Sequence, residues 1–162
     1  MLLDGVNHVA ILTNDTDRLH AFYRDAFDAT VSRDLTEQDG VRLSFVDVGP
    51  TTELNVFEVE ENTEAERQTH MFGRGRIDHL GLQATSKDAF DVIRSRLMAL
   101  GASDGFVTDF GPILSLFFRD PDGLEGEVCV QNPAAEPGVY HPPGTPAPDY
   151  TVGVESPGGG TR

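Results

Sequence analysis

The sequence predicts an α+β fold: two paired β-α-β-β-β modules forming a cupped mixed sheet. Three observations carry this. An apolar strand pattern centred on a histidine occurs twice, as V-N-H-V-A-I-L around His8 and I-D-H-L-G-L-Q around His79. Each copy is followed by one amphipathic helical pattern and then by strand-like runs. The second copy closes on R-D-P-D-G-L-E-G-E-V-C-V, residues 119–130, which has the proline and glycine of a tight turn followed by strand alternation.

The elements follow in order. Residues 6–12 alternate as a strand, with Val9 and Ile11 on one face and His8 on the other. Asn14, Asp15 and Thr16 offer caps to a helix over 17–27, where Leu19, Phe22, Tyr23 and Phe27 recur at helical spacing. Strands are expected at 28–33, 41–48 and 53–60. Residues 61–76 are polar and charged and form a linker. The pattern restarts at 77–82, with Leu80 and Leu82 opposite His79. A helix over 86–100 follows, with Phe90, Ile93, Leu97 and Leu100 on its apolar stripe and Gly101 as its stop. The hairpin strands 113–118 and 125–130 complete the second module. On the latter, Val128 and Val130 share one face, while Glu125, Glu127 and Cys129 share the other.

The domain therefore spans 1–131, with module 1 at about 5–61, a linker at 62–75 and module 2 at about 76–131. Residues 132–162 hold seven of the ten prolines and no hydrophobic period, so they form a tail, disordered or draped over a surface, with Tyr140 and Tyr150 as possible anchors.

Composition excludes several classes. There are 27 acidic against 12 basic residues, a net charge of −15, and such a surface repels phosphate backbones; no nucleic-acid partner is expected. No apolar run approaches a membrane span and no secretory pattern opens the chain, so a cytoplasmic protein is expected. The single cysteine, Cys129, excludes an internal disulfide framework and a cysteine zinc cluster.

The repeat defines a candidate site. Glu58 lies 50 residues after His8 and Glu127 lies 48 after His79, each an acidic residue opposite an apolar strand face. With the helices on the outer face, all four would look into one concavity between the modules. Two imidazoles and two carboxylates suit one divalent metal ion of intermediate character, Zn²⁺, Ni²⁺, Co²⁺, Mn²⁺ or Fe²⁺, with positions left for a small-molecule substrate. Hairpin parity turns Leu116 and Phe118 into the same cup, and Phe45 is a further candidate lining residue. His20, His70 and His141 are expected to be structural or solvent-facing, with reach to the site from the linker as the alternative for His70.

The segments around His8, Phe22-Tyr23, His79 and D-P-D-G-L-E-G-E-V resemble the vicinal oxygen chelate superfamily, which includes glyoxalase I, methylmalonyl-CoA epimerase, fosfomycin-modifying enzymes, extradiol dioxygenases and bleomycin-resistance proteins. The resemblance covers about residues 5–131; Leu124 departs from it, standing where a polar residue is common. It implies a metal triad of His8, His79 and Glu127, with Glu58 as the fourth ligand of the glyoxalase and epimerase branch. It further implies a homodimer, and a lyase, isomerase or epimerase acting on vicinal oxygens through a metal-stabilised oxyanion, with Glu127 or Glu58 as the catalytic base. An extradiol-type dioxygenase and a non-catalytic binder of small molecules such as antibiotics are the alternatives. The former usually needs histidine and tyrosine acid–base groups that the hairpin strand lacks, and the latter typically lacks the triad kept here.

Overall fold

The structure is a computed structural model that describes residues 2, 5–36, 40–65, 69 and 73–150. Its elements run β1 (His8–Thr13), α1 (Thr16–Phe27), β2 (Thr30–Thr36), β3 (Val41–Asp47), β4 (Glu53–Val59), β5 (Leu80–Gln83), α2 (Lys87–Ala99), β6 (Val107–Asp109), β7 (Ile113–Arg119) and β8 (Glu125–Gln131). The strands form two four-stranded sheets, one per module, ordered β1-β4-β3-β2 and β5-β8-β7-β6. In each the first strand runs parallel to the last, β1 with β4 and β5 with β8, and the remaining pairings are antiparallel. Parallel pairing needs a crossover, which α1 with β2–β3 and α2 with β6–β7 provide. The module pattern implied the short strand β6 without placing it: three residues are too few to show a period.

Local chemistry places the helices. Asp15 caps α1 by accepting a hydrogen bond from Arg18 N (2.9 Å), and Ser86 caps α2 by accepting one from Ala89 N (3.1 Å). Gly101, at φ +68°, follows the end of α2 in the left-handed conformation that a side chain would resist.

The apolar faces of both helices and both sheets merge into one core, with Leu19, Tyr23, Leu54, Phe90, Leu97, Leu116 and Val128 at 1% exposure or less. Phe118 joins the modules: its ring centroid lies 6.1 Å from that of Phe22 and 5.2 Å from that of Phe27, both on α1. A Cβ on Gly126 would overlap the Phe118 ring, so the absence of a side chain there admits it. His20 is buried in the same interior, with Nε2 2.7 Å from Ser44 Oγ, and burial lowers its pKa.

Residues 132–150 drape over module 2. Thr108 bridges Pro146, Asp109 N donates to Thr145 O, and Ala147 N donates to Val107 O, so this segment covers the edge of β6. Tyr150 packs edge-on to Phe90 with its hydroxyl 2.5 Å from Asp91 Oδ1, whereas Tyr140 is 77% exposed and anchors nothing.

The β7–β8 connection sets the register of module 2. Asp120 N donates to Leu124 O, and Asp120 Oδ1 accepts from Asp122 N (3.0 Å) and Leu124 N (2.8 Å). The pairing therefore begins at Arg119 with Glu125, and Phe117 faces Glu127 while Leu116 faces Val128. Leu116 (0% exposed) and Phe118 (3%) thus belong to the core and not to the cup, which corrects the sequence-based expectation. That expectation closed the turn on Gly123, one residue early, and a one-residue slip exchanges the two faces of a strand.

Two outcomes follow. Phe118→Ala should lower stability by about 3–5 kcal/mol in denaturant unfolding, as a large aromatic lost from a core does, while Phe117→Ala on the opposite face costs clearly less. Burial pushes the Asp120 carboxyl from 3.8 up to about 6. The folded chain holds this proton more tightly than the unfolded chain, so the stability it contributes is present below pH 3.8 and is lost as pH rises through 6. Asp120→Asn keeps the accepting oxygen, and its stability should fall less between pH 4 and 7 than that of the wild type, by on the order of 3 kcal/mol.

Candidate metal centre

Strand parity divides each sheet into a face packed on the helices and an opposite face that is open. In module 2 the open face carries His79, Gly81, Ser115, Phe117, Glu127 and Cys129. His79 Nε2 lies 3.3 Å from Glu127 Oε2. Its other nitrogen, Nδ1, lies 3.0 Å from Asp78 Oδ2, and a carboxylate only accepts, so Nδ1 donates. In the neutral ring this leaves the Nε2 lone pair facing a carboxylate oxygen. Two acceptors at that distance require a shared cation between them, a proton or a metal. Ser115 Oγ donates to Glu127 Oε1 and fixes the carboxylate from the other side. The Phe117 ring stands edge-on to the imidazole at 5.6 Å.

His8 repeats half of this arrangement. Its Nδ1 lies 2.8 Å from Asn7 Oδ1, the residue just before it, as Asp78 is just before His79. Both histidines thus have Nδ1 held by the preceding residue and Nε2 turned away from it, the tautomer that metal-binding histidines take when a neighbour holds the other nitrogen. The dipeptides Asn7-His8 and Asp78-His79 were visible in the sequence, but the orienting role of their first members was missed.

The structure does not bring His8 and His79 together in one chain. Among the described residues no group of three or more histidine, cysteine, aspartate or glutamate side chains is close enough to hold a metal ion. The C-terminal end of β1 is tied to module 2, with Thr13 Oγ1 donating to Asp122 Oδ2 (2.5 Å) and Arg18 Nη2 2.7 Å from Asp122 Oδ1. His8 is five residues back along that strand, roughly 17 Å away at strand rise. A groove of about 800 Å³ runs along the edge of β1, with His79, Asp78, Arg74 and Glu125 on its far wall. One shared concavity for all four predicted ligands is therefore corrected to two separated half-sites.

Glu58 is corrected as well. It pairs with Thr13 and lies on the same strand face as Leu54 and Val56, toward the helix, where Oε2 accepts from Thr16 N (2.8 Å) at the positive end of α1. The residue that matches Glu127 is Asn55: Asn55 pairs with Ala10 as Glu127 pairs with Gly81, two positions after each histidine. Phe45 lies on the open face of β3, directly across from Asn55, with the Arg33 guanidinium 4.2 Å from its ring centroid. His70 is outside the described residues. Glu125 is engaged by Arg74, and Arg119 Nη2 lies 3.8 Å from it, which leaves Glu127 as the β8 carboxylate facing His79 Nε2.

A repeated module with parallel outer strands, a histidine at the start of each and a glutamate behind a hairpin agrees with the family model that matches residues 5–128, described as Glyoxalase/Bleomycin resistance protein/Dioxygenase superfamily. The chain belongs to this superfamily. Comparison with curated proteins gives no match. Solved structures of the superfamily share the fold. A glyoxylase/bleomycin resistance protein/dioxygenase domain from Frankia sp. EAN1pec is 23% identical, with a TM-score of 0.63 over 82% of this chain and 95% of that one. Lactoylglutathione lyase from Agrobacterium tumefaciens is 23% identical, with a TM-score of 0.57 over 80% and 96%. The fosfomycin resistance protein FosX from Listeria monocytogenes, solved with Mn(II) and sulfate, is 16% identical, with a TM-score of 0.59 over 81% and 95%. Among the described residues no helix is long and apolar enough to cross a membrane.

The thiol of Cys129 shares the open face with Glu127, and burial together with that negative charge pushes it up to about 12. In metal-free protein at pH 8, iodoacetamide should alkylate Cys129 at least a hundred-fold more slowly in the folded chain than in urea, read by intact-mass spectrometry.

Proposed function

We propose that this protein is a metal-dependent lyase or isomerase of the glyoxalase type, acting on a small substrate with two neighbouring oxygens. The observation that carries the reading is the opposition of His79 Nε2 and Glu127 Oε2 at 3.3 Å, with Asp78 and Ser115 fixing their outer sides. These donors fit a divalent ion such as Zn²⁺, Ni²⁺, Co²⁺, Mn²⁺ or Fe²⁺, and FosX, a neighbour in fold, was solved with Mn(II). A bound ion would supply Lewis acidity toward the substrate oxygens.

The chain's own residues do the rest. His79 and Glu127 hold the ion from module 2. His8, oriented by Asn7, is the third ligand and reaches the site as His8 of the partner subunit in a homodimer, because a single chain keeps the two halves apart. Glu127 takes the proton from the hydroxyl-bearing carbon next to the substrate's carbonyl and returns it, the Ser115 hydroxyl keeping one carboxylate oxygen in place throughout. With Glu58 at the start of α1, the second proton-moving group that an epimerase working from both faces would use is not supplied from β4.

A second reading has one observation in its favour. Two histidines and one carboxylate with open positions is also the ligand set of non-haem Fe(II) oxygenases. Against it, the open face around Glu127 carries no further histidine or tyrosine among the described residues.

The test is metal content by mass spectrometry after loading, in wild type and in His8→Ala, His79→Ala and Glu127→Ala. About one ion per chain is expected in the wild type and its loss in all three variants; a wild type that takes up no ion sinks the proposal. Mixing equal amounts of His8→Ala and Glu127→Ala chains should restore about one ion per four chains, since half of the dimers are then mixed and one of the two composite sites in a mixed dimer has all its ligands. Oxygen uptake with catechol on the Fe²⁺-loaded protein would move the reading to the oxygenase.

A further inference from the structure

The two modules correspond position by position, and the correspondence exposes an asymmetry. Along β1 and β5, Ala10 matches Gly81 and Leu12 matches Gln83. On the paired strands, Asn55 with Phe45 matches Glu127 with Phe117, and Phe57 with Leu43 matches Cys129 with Ser115. Where module 2 presents glutamine, serine, cysteine and glutamate, module 1 presents leucine, leucine, phenylalanine and asparagine. The apolar members are not core residues. Leu12 is 41% exposed, and Leu43, Phe45 and Phe57 are each partly open to solvent.

Two features say what lies on this face. The amide oxygen of Asn55 is enclosed and has no hydrogen-bond donor. A buried acceptor in that state is completed by a water or by a ligand hydroxyl or amine. The charges also point one way: Arg33 lies over the Phe45 ring, while Asp47 and Glu53 pair with each other on the same open face at the end of β3 and β4. One cation against two carboxylates, on a chain of net charge −15, disfavours an anionic ligand.

We infer that the open face of module 1 is the substrate's specificity wall, and that the substrate is an uncharged molecule with an aromatic or aliphatic body and a hydroxyl beside a second oxygen. The body lies on Leu12, Leu43, Phe45 and Phe57, and the hydroxyl donates to Asn55. This rests on the proposed reading of the site, in which module 1 of one subunit faces module 2 of its partner: module 1 selects and module 2 performs the chemistry.

The test uses 2-hydroxyacetophenone, which joins a phenyl ring to a hydroxyketone, titrated calorimetrically into the full-length protein. Dihydroxyacetone has the oxygens without the ring, and phenylglyoxylate has the ring with a carboxylate. The hydroxyketone should bind at least tenfold more tightly than either. Phe57→Ser and the surface-exposed Leu12→Ser should each weaken it about fivefold or more. Asn55→Leu should weaken it by a similar factor while leaving 1-phenyl-1,2-propanedione, which has no hydroxyl, unchanged. Equal binding of dihydroxyacetone or phenylglyoxylate, or indifference to all three substitutions, overturns the inference. Metal content on the same samples separates the two ideas. Retained metal with indifferent binding leaves the lyase or isomerase reading standing alone; ring-dependent binding lost in Phe57→Ser without any metal uptake leaves the wall standing alone.

Discussion

The site in module 2 depends on one turn. Asp120, buried to 6% exposure, gathers the backbone N–H groups of Asp122 and Leu124 on a single carboxylate oxygen, and Gly123 takes the left-handed conformation at φ +84°. That closure makes Arg119 the partner of Glu125, and every later pairing on β7 and β8 follows from it. It places Ser115 and Phe117 around Glu127, and sends Leu116 and Phe118 to the other side. A turn shorter by one residue would put Leu116 beside the carboxylate and leave a serine in the core. The same turn reaches module 1, because Asp122 holds the C-terminal end of β1 and the start of α1. One loop therefore sets both the register of the acid and the docking of the modules.

The modules are joined through their helix-covered faces. Phe22, Phe27 and Phe118 form a shared aromatic contact, and α1 and α2 pack into one interior. Stability and site construction are thus separated in space: apolar burial holds the two sheets together, and the polar groups that bind or react lie on the faces left open. This arrangement also explains why each histidine carries its own orienting neighbour. Asn7 and Asp78 are adjacent in sequence to the rings they hold, so each histidine is oriented within its own module.

Much of this was legible without coordinates. The helices came from spacing, from the cap offered by Asp15 and its neighbours ahead of α1, and from Gly101 where α2 must stop; the Ser86 cap of α2 came only with the structure. The faces of β8 came from clean alternation, with glycine and valines on the core side. Strand β4 resisted the same treatment because Leu54 and Val56 make one face apolar and Phe57 and Val59 the other. Periodicity therefore named no open face, and Glu58 was matched to Glu127 by approximate spacing. Parallel pairing with β1 settles the choice in favour of Asn55, and pairing partners 45 residues apart leave no local trace. The tail shows the opposite limit: rich in proline, it showed no period, yet Thr145 and Ala147 hydrogen-bond to β6, and Pro148–Tyr150 forms a 3₁₀ turn from which Tyr150 docks on α2.

The sequence by itself determined the module, its repetition and the two histidines at equivalent places, because these depend on short-range periodicity and on residues whose chemistry is local. The tertiary structure decided which carboxylate stands beside which imidazole, which aromatic residues are core and which are open, and that among the described residues His8 does not gather with His79 and Glu127. Those outcomes depend on register and on docking. Both are set by contacts between residues distant in sequence, where shifting one strand by a single position exchanges interior for surface.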